Sequence, residues 1–449
     1  MSECVVAPSS FVRLNERSWT ERLDRLGLAS LAIVLIYGQR IAFGNISLMF
    51  FIMYANLALM IVVGKAELDV RRLVLYMIGM GALSLSALID QHHAFHYSWQ
   101  STLYLSAIYF AVVFVRYDFE NFNFFLVVYQ NAMLIAALLG IMQFLIQLMG
   151  APYVDLLATV VPAEFLKEGY NTSYGVEWGS SIHKSNGIFF LEPSYFSRHA
   201  GISVLIELLF LKKIWRLGVF VPALLISFSG TGIMILAFVA IPLLTKLKLR
   251  YTIVLSILAV VSFSVLMVSG YADHILRRGT EFGDSSSSGY SRFVAPAVCY
   301  REFLETDDIW FGRGPGFASL FEEDDPWLVR HFYSVTFAKL GMEYGLIGLV
   351  CFTLFAANNF FHRSTSLIIA AGMFFEYYIF VGGLMGAENV LFGYALLMMF
   401  RKREVTQSSG LRRKEAGCAT ENAIQEDCAT KDCATKDRTT CASSSGTRS

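Results

Sequence analysis

Charge is what this sequence most lacks. Only 16% of its 449 residues are Asp, Glu, Lys or Arg, against about 25% in an ordinary soluble chain. The deficit is uneven, with long apolar runs separated by short charged clusters, and mean hydropathy is +0.52. That pattern excludes a soluble globular domain and points to a polytopic membrane protein. Net charge is zero, so no electrostatic footprint for nucleic acid is present. Cysteine is sparse: Cys4, Cys299 and Cys351 are scattered, and Cys418, Cys428, Cys433 and Cys441 lie in the tail. No disulfide framework follows from such spacing. Residues 1–23 are polar and mixed in charge, without a short apolar core or a small-residue cleavage site. They read as a cytoplasmic N-terminal segment and not as a removable signal. A phosphate-cradling GxxxxGK motif and a dinucleotide fingerprint are also missing. Chemistry outside the cytoplasm therefore needs a substrate that arrives already activated, and no cofactor is expected.

What is present is a series of apolar segments of about the length that crosses a ~30 Å hydrocarbon core. They run 24–43, 46–64, 73–90, 101–116 and 123–149, an N-terminal transmembrane bundle over 24–149. After a polar stretch at 150–196 come 197–212, 217–229, 231–245 and 251–271. A second polar stretch, 272–330, precedes 332–356, 364–384 and 386–400 in the C-terminal membrane region, 331–400. Basic clusters in short loops mark the cytoplasmic side: Lys65/Arg71/Arg72, Arg116, Lys212/Lys213/Arg216, Lys246/Lys248/Arg250, His362/Arg363 and Arg401/Lys402/Arg403. All share one side if 217–245 crosses an even number of times. "SFSGTG" at 227–232 supplies a break for two short helices, although a single tilted helix also fits the length. The expected fold is an all-α integral membrane protein of about twelve transmembrane segments, ten to twelve being compatible. Two large loops lie outside the cytoplasm, and both termini lie inside. The tail, 401–449, has no aromatic residue and repeats "DCATKDCATKD", so it reads as disordered.

Polar residues among the apolar runs are the site candidates. "GIFFLEPSYFSRHAG" at 187–201 places Glu192, Pro193, Ser194, Arg198 and His199 where a membrane segment begins. Pro193 suits a first helical turn, and a helix N-terminus stabilises the Glu192 carboxylate. Arg198 lies six residues further on, close enough to share a cavity with Glu192. His199 reads as a packing residue with satisfied nitrogens. In the second loop the cations are Arg277, Arg278, Arg292, Arg301, Arg313 and Arg330, with no lysine. Surface pairing with the acids of the same stretch accounts for Arg277, Arg278 and Arg301. Arginine alone is nonetheless what bidentate phosphate recognition selects. "QHHAFH" gives His92, His93 and His96, but no carboxylate or cysteine completes a metal site, so no metal is expected. Glu207, Glu343 and Glu376 sit within apolar segments, either as proton or ion sites or as glutamates satisfied between helices.

These residues resemble the bacterial O-antigen ligase/polymerase superfamily, and within it the Wzy-type polymerases of exopolysaccharide repeat units. The resemblance rests on "NGIFFLEPSYFSRHAG", "LLISFSGTGIMIL", "SGYSRF" leading to "DDIWFGRGPGF", and "RHFYSVTFAKLGMEYGLIGLV", in order across about 185–350. It implies a membrane-embedded glycosyltransferase of GT-C type, acting on the periplasmic face of the bacterial inner membrane. Its substrate would be oligosaccharide on a polyprenyl diphosphate, with membrane lipids, a chain-length regulator and export proteins as partners. By motif position, Arg292 and His331 would contact the diphosphate. Many relatives carry arginine where this chain has Gly230, so Arg198, Arg292 and Arg313 are the expected diphosphate-binding set. Phe332 stands where asparagine is common. Glu192 is the candidate base for the acceptor hydroxyl, and His331 joins it as a catalytic candidate. Trp178 and Trp310 are candidates to stack on sugar faces. A ligase moving finished glycan would use the same residues. A lipid-linked oligosaccharide flippase or transporter would instead need essential charges along a mid-membrane path. A non-catalytic export subunit would tolerate loss of the whole Arg/His set.

Overall fold

The computed structural model describes residues 18–89, 99–176, 179–268, 283, 290, 294–316, 335–380, 383 and 386–401, all within one compact unit that ends at Arg401. Apolar segments with few polar side chains satisfy their backbones most easily as helices, and the described chain is mostly helical. In order, the helices are α1 (Trp19–Tyr37), α2 (Leu48–Val62), α3 (Val70–Ile89), α4 (Trp99–Phe110), α5 (Phe119–Leu148), the short α6 (Leu156–Val160), α7 (Pro193–Ile206), α8 (Leu217–Ile226), α9 (Gly230–Phe238), α10 (Ala240–Leu244), α11 (Leu249–Val268), α12 (Ala295–Phe303), α13 (Thr336–Phe361), α14 (Leu367–Phe374) and α15 (Ala387–Gly393). Among the described residues, α3, α5 and α13 are long and apolar enough to cross a membrane. Three helices pass directly into π-helical turns: α7 into Glu207–Leu211, α14 into Phe375–Phe380 and α15 into Tyr394–Met398.

Two ends of the bundle are chemically distinct. At one, the strand β3 (Glu67–Leu68) pairs with β4 (Phe114–Val115), and Arg116 bridges to Phe400. This end collects basic groups, and Arg116 is held there by both Asp24 oxygens at 2.8 and 2.6 Å. At the other end, the hairpin β1 (Ala42–Phe43)/β2 (Ile46–Ser47) meets the long polar stretch through Ile41 and Leu166. Arg40 there grips Asp155 at 2.6 and 2.8 Å. Thr172 adds a hydrogen bond to the same carboxylate at 2.8 Å. Burial raises the Asp155 pKa, but these donors outweigh it and hold the carboxyl below its ordinary value.

The core is organised around α7, which is buried at every residue from Pro193 to Ile206 and packs against α5, α8 and α9. Residues 217–238 form two helices, α8 and α9, meeting at the Ser227–Ser229 turn. Ser197 of α7 fixes that turn: its hydroxyl accepts from the Gly232 amide at 3.0 Å and donates to the Ser229 carbonyl at 3.0 Å. The two backbones meet so closely that a Cβ on Gly232 would lie 2.1 Å from the Ser197 carbonyl oxygen. Small residues at such crossings permit close approach where apolar burial alone cannot drive association.

The 26-residue α13 is not continuous, because Gly345 adopts φ 65°, ψ −173° inside it. The turn at Trp310–Gly314 fills the break. Arg313 and Gly314 donate their amides to the Met342 and Glu343 carbonyls at 2.9 Å each, and Ile347 donates to the Trp310 carbonyl at 3.3 Å. "GLIG" therefore does not open a helix; the helix already runs from Thr336 and is interrupted there.

Gly232→Ala should lower the thermal stability of the purified protein by at least the ~1–3 kcal/mol typical of overpacking. Gly230→Ala, whose Cβ would meet only the Met234 sulfur at 3.7 Å, should stay within about 0.5 kcal/mol. Thermal unfolding of both variants in the same detergent checks this.

Candidate functional site

Entry into α7 is set by a strained turn. Gly187 and Ile188 both have positive φ, 61° and 69°, and for a β-branched residue such as isoleucine that is costly. The Asn186 side-chain oxygen accepts the Ile188 amide at 3.0 Å, and the Ser185 hydroxyl donates to the Gly140 carbonyl at 2.9 Å. Glu192 then stands as the N-cap in extended conformation, with Pro193 at the first helical position. Its carboxylate does not cap its own helix; Oε2 accepts from the Ser194 hydroxyl at 3.1 Å, and the residue remains half-buried.

Arg198, just over one turn further on, has no exposed surface. Its Nε lies 2.7 Å from Glu376 Oε1, and a terminal nitrogen donates to the Asn389 side-chain oxygen. The guanidinium is sandwiched by the rings of Tyr195 at 4.5 Å and Tyr377 at 5.0 Å. Above it, Lys167 Nζ lies 2.5 Å from Glu388 Oε1 and 5.1 Å from the Tyr170 ring centre. Tyr170 in turn meets Tyr195 edge-on at 6.0 Å. Cations and rings thus form one column from the loop into the core: Lys167, Tyr170, Tyr195, Arg198, Tyr377. Two carboxylates, Glu376 and Glu388, lie along this column. Burial lowers the Lys167 pKa, but the Glu388 carboxylate and Tyr170 overcome it and raise the ammonium above its ordinary value.

The expected site residues divide into two groups and a remainder. Glu192 and Arg198 share the first two turns of α7, flanking Tyr195. Arg313 and Trp310 belong to the turn that fills the α13 break; Arg313 Nε lies 2.8 Å from Asp308 Oδ2, and Trp310 is 57% exposed. Trp178, Arg292 and His331 lie outside the described residues, as do His92, His93 and His96. Gly230 opens α9 beside the Ser229 turn. His199 has both nitrogens engaged, by Gln39 and Tyr129 at 2.9 Å each, and stacks on Phe392 at 4.1 Å. The buried glutamates each face a cation: Glu207 has Arg216 at 3.0 Å, Glu343 has Lys339 at 3.6 Å and Glu376 has Arg198.

Sequence reasoning missed Lys167, Glu388 and Asn389. The signal available was "GAEN" at 386–389, an acid and an amide at the start of an apolar run, much as "LEPS" precedes α7.

The fold and this column define a helical membrane protein whose charged groups gather at one end of a core helix. Residues 26–313, well over half of the chain, match the model of a family described as WcaD colanic acid polymerase. The chain belongs to that family, which is consistent with a Wzy-type repeat-unit polymerase of exopolysaccharide. No curated protein matches it.

Arg198→Met would strand Glu376 in the core and should destabilise by the ~3–5 kcal/mol of a broken buried pair. Removing both charges with Arg198→Met/Glu376→Leu should recover most of that loss in thermal unfolding. For Lys167→Met a pH series is informative. A lysine whose folded pKa is raised contributes fully below its unfolded value of about 10.4 and loses the contribution as pH rises through the folded value. The wild-type advantage over Lys167→Met should therefore stay flat from pH 7 to 9 and shrink only in stronger base.

Proposed function

We propose that the chain joins oligosaccharide repeat units carried on polyprenyl diphosphate into exopolysaccharide at the periplasmic face of the inner membrane. The family match carries this reading. The basic end of the bundle would face the cytoplasm, following the positive-inside bias, and the Glu192–Lys167 end the periplasm. The apolar segments would then make about twelve crossings.

In the reaction, an acceptor hydroxyl attacks the anomeric carbon of the donor sugar, that carbon's bond to the diphosphate oxygen breaks, and the lipid diphosphate leaves with the electron pair. Glu192, half-buried at the N-cap of α7, is the proposed acceptor of the hydroxyl proton. Charge growing on the leaving oxygen would be met by preorganised donors of the large loop: Arg292, Arg313 and His331. Arg198 is neutralised by Glu376, so its part is better served by fixing Tyr195 and α15 than by direct diphosphate contact. Trp178 and Trp310 would line the sugar path. The cation facing each buried glutamate favours an enzyme over a transporter, because a proton path needs acids that can release their partner.

The experiment uses cells lacking the chain, complemented with wild type, Glu192→Gln, Arg292→Ala or His331→Ala at matched membrane levels. Polymer should fall at least tenfold in each variant while single lipid-linked units accumulate outside. Accumulation inside would identify a flippase instead, and normal polymer from all three variants would remove these residues from the site.

A further inference from the structure

The basic end treats its buried arginines unequally. Arg116 is matched by a bidentate Asp24 and by Asp118 at 3.5 Å. Arg72 is held by the Val112 and Met398 carbonyls at 2.6 and 2.9 Å, with Asp69 Oδ2 3.9 Å from Nε. Arg401 is 1% exposed, yet none of its three guanidinium nitrogens has a hydrogen-bond partner. A buried guanidinium without a counter-charge is among the costlier things a fold can contain.

Further donors lie in the same corner. Asn358 and Asn359, in the last turn of α13, are buried, and neither the oxygen nor the nitrogen of either amide is bonded. Helices α3 and α13 run antiparallel, since Gly79 abuts Cys351, Phe352 and Phe355, while Gly348 abuts Leu83. Continuing that register brings Arg71 and Arg72 beside residues 358–362. Arg401 bears electrostatically on Arg72, and Arg71, Arg363 and Arg401 all bear on His362. Asp69 is the acid acting on this group, with the phenols of Tyr117 and Tyr394 nearby. Among the described residues, Arg71, Arg72, Arg363 and Arg401 thus gather at this corner, and Asp69 is the carboxylate that bears on Arg72 and Arg401. Burial, the largest cause, brings the Arg401 guanidinium down to about 10.

The geometry points to a binding site for a phosphate-type oxyanion at this corner. Arg401 and Arg72 form its floor, Asn358 and Asn359 its neutral donors, and exposed Arg71 with half-buried Arg363 its rim. Guanidinium forks and amide N–H groups together match a tetrahedral oxyanion with several acceptor oxygens. A carboxylate, with two oxygens and one charge, would leave most of these donors unmet. The anion is either the phosphate of an acidic phospholipid in the adjoining leaflet or free inorganic phosphate. This site is independent of the polymerase reaction at the opposite end.

The test uses the full-length protein, purified and delipidated in neutral detergent. Thermal unfolding and native mass spectrometry are recorded with added phosphatidylglycerol, with inorganic phosphate, and with sodium chloride at matched ionic strength. Saturable stabilisation by either phosphate source, beyond the chloride control, is the expected result. A response to phosphatidylglycerol alone assigns the lipid headgroup, and one to inorganic phosphate alone assigns the free ion. Arg401→Gln should weaken binding at least tenfold, whereas Arg250→Gln, on a different loop, should leave it unchanged. If Arg401→Gln does not fold, Asn359→Leu, which keeps every charge, should weaken binding severalfold. The site is refuted if neither phosphate source binds above chloride, or if binding survives unchanged in whichever of these two variants folds.

Discussion

The described bundle is arranged around a helix, α7, that is buried along its whole length. Because α7 is enclosed on all sides, each polar atom it carries must find its partner on another helix, and those partners decide how the bundle closes. Ser197 selects the Ser229–Gly232 turn, Gln130 donates to the Ser203 carbonyl at 3.0 Å, and Tyr129 and Gln39 complete His199. Arg198 is the most demanding of these residues. In a dry interior an unmatched guanidinium is prohibitive, so Glu376 and Asn389 must arrive from α14 and α15 together. One charged residue thereby ties α15 and the turn after α14 to α7.

The π-helical turns follow from the same demand. In the wider turn after α14, Glu376 pairs with Arg198 while the next residue, Tyr377, lays its ring over the same group. Glu207 uses a comparable widened turn to meet Arg216. Such turns occur often at functional positions, and here two of the three carry a buried acid near their start.

Much of the helical plan could be read from composition. Apolar runs and basic loop clusters mark helices and a chemically distinct end, "SFSGTG" separates α8 from α9, and "LEPS" starts α7 at Pro193. These features are local: each depends on a few neighbouring residues whose preferences act alone. The partnerships were not legible. Lys167 and Glu388 are 221 residues apart, and Arg198 meets Glu376 across an apolar interface that leaves no periodic trace in either segment. The helix break at Gly345 was hidden for a related reason. Glycine within an apolar run is common in membrane helices, and only the distant Trp310–Gly314 turn reveals why this one must take positive φ.

That turn has a mechanical meaning. Its amides occupy carbonyls that the broken α13 would otherwise leave unbonded inside the protein, which is costly. Pulling the turn away would open two backbone vacancies at once, so the loop bearing Arg313 is riveted to the helix at this point. Trp310 and Arg313 are thereby held at a fixed place beside α13, whatever the rest of the loop does.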